Sequence, residues 1–210
     1  MRNKGCKLKI ENAYELLLYL KEKNLLANKP KYWWPNAFSF EVVIGAILTQ
    51  NTKWERVEVA LNNLKEFLEF EKFLTLNETV LQEAIKTTGF YRQKAKNLLN
   101  LAKNIKNEFD NFINFQKEVT REWLLKQRGI GFESADAILC YGCGREVMVV
   151  DKYTQRLLAQ FGYEFDEYHA MQEWLSCGVY EHWDQLKNFY EENINLAFAR
   201  FHGKIVEYMK

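Results

Sequence analysis

Gln127-Arg128-Gly129-Ile130-Gly131-Phe132-Glu133-Ser134-Ala135 is the stretch whose reading decides the fold. An amphipathic run ends at Gln127-Arg128 and a second helical pattern opens at Phe132. Two glycines flanking one apolar residue let a tight hairpin bring the two helix ends together with backbone N–H groups exposed. Such groups, at Gly129, Ile130 and Gly131, grip a phosphate without reading a base, and Ser134 offers a hydroxyl donor beside them. A Gly-x-Gly alone is a common turn between helices. A carboxylate downstream gives this one its weight. Twenty residues beyond Gly131, past the glycine-broken loop Gly142-Cys143-Gly144, the apolar run Val147-Met148-Val149-Val150 delivers Asp151.

Outward from this segment the chain reads as helical. With 210 residues and 48% apolar side chains, it can bury the core of one large or two modest domains. Its only prolines are Pro30 and Pro35, so helix can follow helix through the remainder. Leu16, Leu17 and Leu20, and later Ala95, Leu98, Leu99, Ala102 and Ile105, recur at the spacing of one helix face. The fold class expected is all-α, with helices over 12–26, 38–50, 53–70, 77–87, 91–108, 114–127, 132–141, 152–161, 167–177 and 182–208.

Composition narrows the function classes. A net charge of +1 gives no whole-molecule attraction to a polyanion, so nucleic-acid affinity must be local. Arg92, Lys94, Lys96, Lys126, Arg128, Lys152 and Arg156 are the candidate cations. The longest apolar run, Val42 to Leu48, falls far short of the ~20 residues that span a bilayer, and no signal peptide is visible after Met1. A cytoplasmic protein with no membrane association is expected, its Cys6, Cys140, Cys143 and Cys177 reduced. Cys140-x-x-Cys143 has no second close pair or Cys/His cluster to complete a zinc site, so no metal is expected.

On the hairpin, the glycine loop and Asp151 together, the sequence resembles the helix-hairpin-helix DNA glycosylase superfamily, the endonuclease III group. Two further segments agree in order and spacing. Phe40-Glu41-Val42-Val43-Ile44-Gly45-Ala46-Ile47-Leu48-Thr49-Gln50-Asn51-Thr52 is similar to the family's first barrel helix and its end. Gly89-Phe90-Tyr91-Arg92-Gln93-Lys94-Ala95 is similar to its glycine, aromatic pair and Lys-Ala helix start. The resemblance covers roughly residues 36 to 160. It implies a six-helix barrel domain over 36–146, a second helical domain from 1–35 plus 147–210, and an active-site cleft between them with Asp151 at its edge. It implies damaged double-stranded DNA as partner to a monomer, with Lys152 beside the hairpin among the DNA contacts. Many relatives hold an iron–sulfur cluster on four closely spaced C-terminal cysteines. This chain has none after Cys177, so no cluster and no cofactor is expected.

The residues then divide the chemistry. Cleaving an N-glycosidic bond builds positive charge on the deoxyribose, which a buried carboxylate stabilises; Asp151 is the catalytic candidate and also a candidate cap for the helix after it. In the family, enzymes that also cut the strand carry a lysine four residues after the hairpin's first glycine. Here that position is Glu133, and an acid forms no imine. A target base must leave the stack, and Gln50 matches the position that fills the gap.

Lesion class rests on aromatics. Tyr32-Trp33-Trp34-Pro35-Asn36-Ala37-Phe38-Ser39-Phe40 holds five rings in nine residues. On an extended pre-proline segment Trp33 and Trp34 cannot both face one core, so one of them, with Phe38 or Phe40, is expected to stack on an electron-poor alkylated purine. Which tryptophan does so is open. Lys204, in an apolar setting, is expected to be paired, neutral or modified, shaping the base pocket near the tryptophans, including as a carbamate. His202 reads as an interior histidine. The expectation is a monofunctional glycosylase for alkylated purines, 3-methyladenine above all, resembling the 3-methyladenine branch of the group. An endonuclease III-like glycosylase and lyase for oxidised pyrimidines, and a non-catalytic DNA-binding module, are the alternatives.

Overall fold

The computed structural model describes residues 9–210, so Cys6 lies outside the described residues. The α-helices in chain order are α1 (Ala13–Glu22), α2 (Phe40–Leu48), α3 (Trp54–Asn63), α4 (Phe70–Phe73), α5 (Glu78–Ala84), α6 (Tyr91–Phe109), α7 (Phe112–Glu118), α8 (Arg121–Leu125), α9 (Phe132–Ala137), α10 (Lys152–Gln160), α11 (Tyr168–Tyr180), α12 (Trp183–Leu186) and α13 (Ile194–Met209). Among the described residues there is no strand, and no helix is long and apolar enough to cross a membrane. They form two compact units, one from the segment ending at Trp33 with Val147–Lys210, the other Trp34–Glu146.

The first unit packs α1 and α10–α13 around Leu16, Leu17, Leu20, Leu157, Leu158, Leu175, Phe198 and Phe201. Leu16, Leu17 and Leu20 of α1, three, four and seven residues beyond the buried Ala13, are fully buried, as a single apolar stripe demands. α1 meets α11 where both are smallest: a Cβ at Gly178 would lie 2.5 Å from that of Ala13. The second unit is built on α2, whose residues are all buried except the half-buried Glu41 in its first turn. Apolar beyond that one residue, it is a core helix.

Two polar devices lock the second unit. Arg121 of α8 makes a bidentate pair with the fully buried Asp136 of α9, at 2.6 and 2.9 Å, tying the helices on either side of the hairpin together. Removing one partner of such a pair costs about 3–5 kcal/mol. Lys94 is buried, contrary to its expected place among the surface cations. Its ammonium shares its three donors among four acceptors at 2.8–2.9 Å, the carbonyls of Leu48, Gln50 and Thr88 and Thr52 Oγ1. It therefore closes the C-terminal end of α2, where a cation also meets the negative end of the helix. Burial pushes its pKa down to about 8.

Several expected helices are shorter or broken, each for a local reason. The 114–127 run divides into α7 and α8 at Val119-Thr120, where the Thr120 side chain accepts from the Trp123 amide and starts a new helix. The 182–208 run breaks at Glu191 and Glu192, both left-handed, before Asn193 caps α13. The 53–70 run ends at Asn63, passes through a 3₁₀ turn and resumes as α4. α9 continues into a π turn over Ile138–Gly142. The stretch around the two tryptophans is a series of turns rather than extended chain: Trp33, Asn36 and Phe38 all have positive φ.

Candidate active site

The hairpin lies wholly within the second unit. Gly129 has φ +83°, and a Cβ there would fall 2.0 Å from Asn97 Nδ2 on α6, so both conformation and space demand glycine. Gly131 differs. Its φ of −100° and ψ of −176° suit any residue, and no atom lies within 4 Å of a Cβ built there. Between them Ile130 turns its side chain into the core, and its amide bonds to the Gln127 carbonyl. Neither Gly129 nor Gly131 donates its amide to a backbone carbonyl among the described residues.

Ser134 and Gln50 do not stand at the surface as free donors. Gln50 Nε2 donates to the Gly129 carbonyl at 2.8 Å and to Ser134 Oγ at 2.9 Å, and Ser134 is itself buried. The Gln50 side chain braces the hairpin against the end of α2, and the Ser134 hydroxyl points inward. Glu133 is exposed in the first turn of α9, and Arg128, Arg92, Lys96 and Lys152 are exposed cations. Phe90 is 81% exposed with φ +46°, at the start of α6. A phenylalanine so exposed in a left-handed conformation was missed in the sequence, where Gly89-Phe90-Tyr91 signalled only a helix start.

Of the aromatic cluster, Trp34 and Phe40 are core residues of the second unit. Trp34 packs over Gly45 and against Trp54 and Tyr141; Phe40 packs edge-on to Phe70, Phe73 and Phe112. Phe38 is 39% exposed, its backbone held by the Tyr141 carbonyl and the Gln116 amide, at an open pocket of about 430 Å³ with Cys143 and Arg145. Cys140, Cys143 and Cys177 are thiols, and burial pushes that of Cys143 up to about 12.

Asp151 belongs to the first unit and caps α10. Its Oδ1 accepts from the Thr154 amide at 2.8 Å and from Thr154 Oγ1 at 2.9 Å, while Oδ2 lies 3.4 Å from Nε2 of the buried His202. Burial alone would raise its pKa. The hydrogen bond and charge of His202, with the two Thr154 bonds, outweigh that and hold the carboxyl below its ordinary value. His202 is interior as its sequence setting suggested, but the histidine faces the carboxylate. Trp33 meets it edge-on, ring centroids 5.3 Å apart, and donates Nε1–H to Glu207 at 3.0 Å. Gly203 makes room for the indole, since a Cβ there would fall 2.5 Å from Trp33 Cγ. Asp151, His202, Trp33 and Glu207 thus form one connected group. Glu207 gave no signal in the sequence, because one acid near a helix end is ordinary. Lys204 does not join the group: two residues from His202 on α13, it faces the opposite way, against Tyr190.

The model of the HhH-GPD superfamily of base excision DNA repair proteins matches residues 44–175. The chain belongs to this superfamily. A protein of Methanocaldococcus jannaschii named as a candidate DNA repair glycosylase is 36% identical over 95% of this chain and 90% of its own length. The crystal structure of H. pylori 3-methyladenine DNA glycosylase bound to 1,N6-ethenoadenine superposes with a TM-score of 0.90 at 46% identity, covering 94% of this chain and 96% of that one. A trapped endonuclease III–DNA intermediate, 16% identical with a TM-score of 0.66 over 94% of this chain and 85% of that one, shares the fold. This HhH-GPD protein is a DNA glycosylase.

Proposed function

We propose that this glycosylase hydrolyses the N-glycosidic bond of alkylated purines in duplex DNA, 3-methyladenine first among them, and leaves an abasic site. The observation that carries the reading is a carboxylate with only 12% of its side chain exposed, Asp151, kept anionic by Thr154 and His202. A cationic purine departs as a neutral base with the bonding electron pair and needs no proton. What remains is positive charge at the sugar, and a fixed anion in a low-dielectric site stabilises it. A carboxyl held below its ordinary value is anionic at neutral pH, which suits an electrostatic part, with water adding to the anomeric carbon and releasing its proton to solvent.

Trp33 is the indole offered to the base. Its plane is fixed by the Glu207 bond, and its face already receives a cation, Lys210 Nζ at 5.9 Å from the ring centre. A methylated purine carries the same kind of charge on a flat ring. Gly129 and Gly131 supply a phosphate grip with Arg128 next to them in the chain, Lys152 is a further exposed cation for the backbone, and Phe90 is the exposed ring available to the opened base stack. The similarity to a 3-methyladenine glycosylase supports the substrate class. Duplexes carrying 3-methyladenine or an oxidised pyrimidine, treated with and without alkali, test the proposal. Strand breaks on the 3-methyladenine duplex only after alkali are expected; direct breaks on the oxidised pyrimidine would assign the chain to the lyase chemistry instead.

A further inference from the structure

On the side of α13 turned away from Asp151, the first unit contains a cavity of about 300 Å³. Three cations line it, Lys21 from α1 and Arg200 and Lys204 from α13, with the Asn24 amide, the Tyr190 phenol and an apolar wall that includes Phe189. No carboxylate lines it. Lys204 is only 5% exposed, and among the described residues its one hydrogen-bond partner is Tyr190 Oη at 2.9 Å. An ammonium has three donors, so two are left to serve a ligand in the cavity that Lys204 lines. Tyr190 is no counter-ion: burial raises its phenol further above neutrality. Arg200 gives one guanidinium N–H to the Lys31 carbonyl at 2.9 Å and keeps the others. Lys21 lies 3.7 Å over the exposed Phe189 ring, which carries no formal charge.

Three like charges converging on a concave, partly apolar space are mutually unfavourable until an anion enters. Burial, and then the charges of Arg200 and Lys21, push the Lys204 ammonium down to about 7. We propose that this cavity is a binding site for a tetrahedral oxyanion of the phosphate class, held by Arg200 and Lys204 with Lys21 at its mouth. A guanidinium fork beside an ammonium matches such an anion, and the volume leaves room for a small organic group against the apolar wall. The groups facing Lys204 are Lys21, Tyr190 and Arg200, so an entering dianion restores its proton. The oxyanion is either a small phosphate compound or a phosphate of the DNA backbone.

Sulfate is the probe, because it stays a dianion across the useful pH range. Titration calorimetry at pH 8 in two buffers of different ionisation heat should show one saturable sulfate site with net proton uptake in the wild-type protein. Arg200→Gln should weaken it by at least about tenfold, and Lys204→Met should abolish the proton uptake. Thermal melts identify any variant that does not fold, and Arg200→Gln, a partly exposed position, decides the matter if Lys204→Met fails. Repeating the titration with an undamaged duplex separates the sources: sulfate displaced by duplex means a backbone phosphate, sulfate retained on the complex means a small molecule. No saturable heat at millimolar sulfate, or equal affinity in wild type and Arg200→Gln, overturns the proposal.

Discussion

Gly131 and Gly129 should respond in opposite ways to the same substitution. At Gly131 the backbone already sits where alanine is comfortable, and an added Cβ meets nothing within 4 Å. Gly131→Ala should therefore stabilise the protein by about 0.4–1 kcal/mol, through the lost freedom of the unfolded chain. Gly129→Ala places alanine at φ +83° and drives Cβ into Asn97. The left-handed conformation alone costs about 1–2 kcal/mol, a Tm lower by roughly 2–8 °C for a chain of this size. DNA binding should invert this order of concern. If the open space at Gly131 is where a phosphate approaches the backbone, a methyl group there removes a charge-assisted hydrogen bond of about 1.5–3 kcal/mol, at least about tenfold in affinity. The loss should be equal on damaged and undamaged duplex, because phosphate carries no lesion information. Thermal melts and fluorescence anisotropy on both duplexes are the assays. A Gly131→Ala protein that is stabilised yet binds DNA as tightly as wild type refutes the phosphate contact, and one that melts early refutes the reading of its geometry.

The two tryptophans should separate equally well. Trp34→Ala should cost about 3–5 kcal/mol of stability, while Trp33→Ala should slow release of 3-methyladenine about tenfold or more, as the loss of a stacking face of 1–3 kcal/mol requires; indistinguishable melts and rates for the two would dismiss the assignment. Because the Asp151 pKa is lowered on folding, its contribution to stability is complete above the unfolded value, about 3.9, and is lost as pH falls through the folded one. Base release should accordingly stay level in acid to below about pH 4, and an acid limb centred near pH 6 would contradict an anionic Asp151. Lys94→Met strands the carbonyls of Leu48 and Gln50 at the end of α2 and that of Thr88 before α6, at about 1–3 kcal/mol each where no water reaches them, so urea titration should show at least about 2 kcal/mol of destabilisation.

The helical class was legible because proline stops at Pro35 and the apolar spacing is regular. The breaks within long helical runs were not, since Glu191 and Glu192 are good helix formers placed in a left-handed turn by tertiary packing. Gly129 and Asp151 were legible because backbone conformation and helix capping are local and leave marks at fixed spacing. Lys94 and Ser134 were misread as surface donors for a complementary reason. Whether a polar side chain turns inward depends on acceptors far along the chain, here the carbonyls of Leu48 and Ala46. The aromatic cluster announced an excess of rings but not their division between core and site, which depends on the positive φ at Trp33 and Phe38. The group of Asp151, His202, Trp33 and Glu207 spans residues 33 to 207, and only folding assembles it.

Single-turnover release of free 3-methyladenine from duplex DNA, compared between wild type and Asp151→Asn, tests the central claim most directly. Asparagine keeps an oxygen to accept from Thr154, so the cap should survive and the protein should remain folded. The charge does not survive. At about 4 Å and an effective dielectric near 20, a carboxylate is worth roughly 4 kcal/mol to a neighbouring unit charge, so release should fall by about a thousandfold with duplex binding unchanged. Release within about tenfold of wild type in a folded Asp151→Asn protein would place the stabilising charge elsewhere and contradict the account.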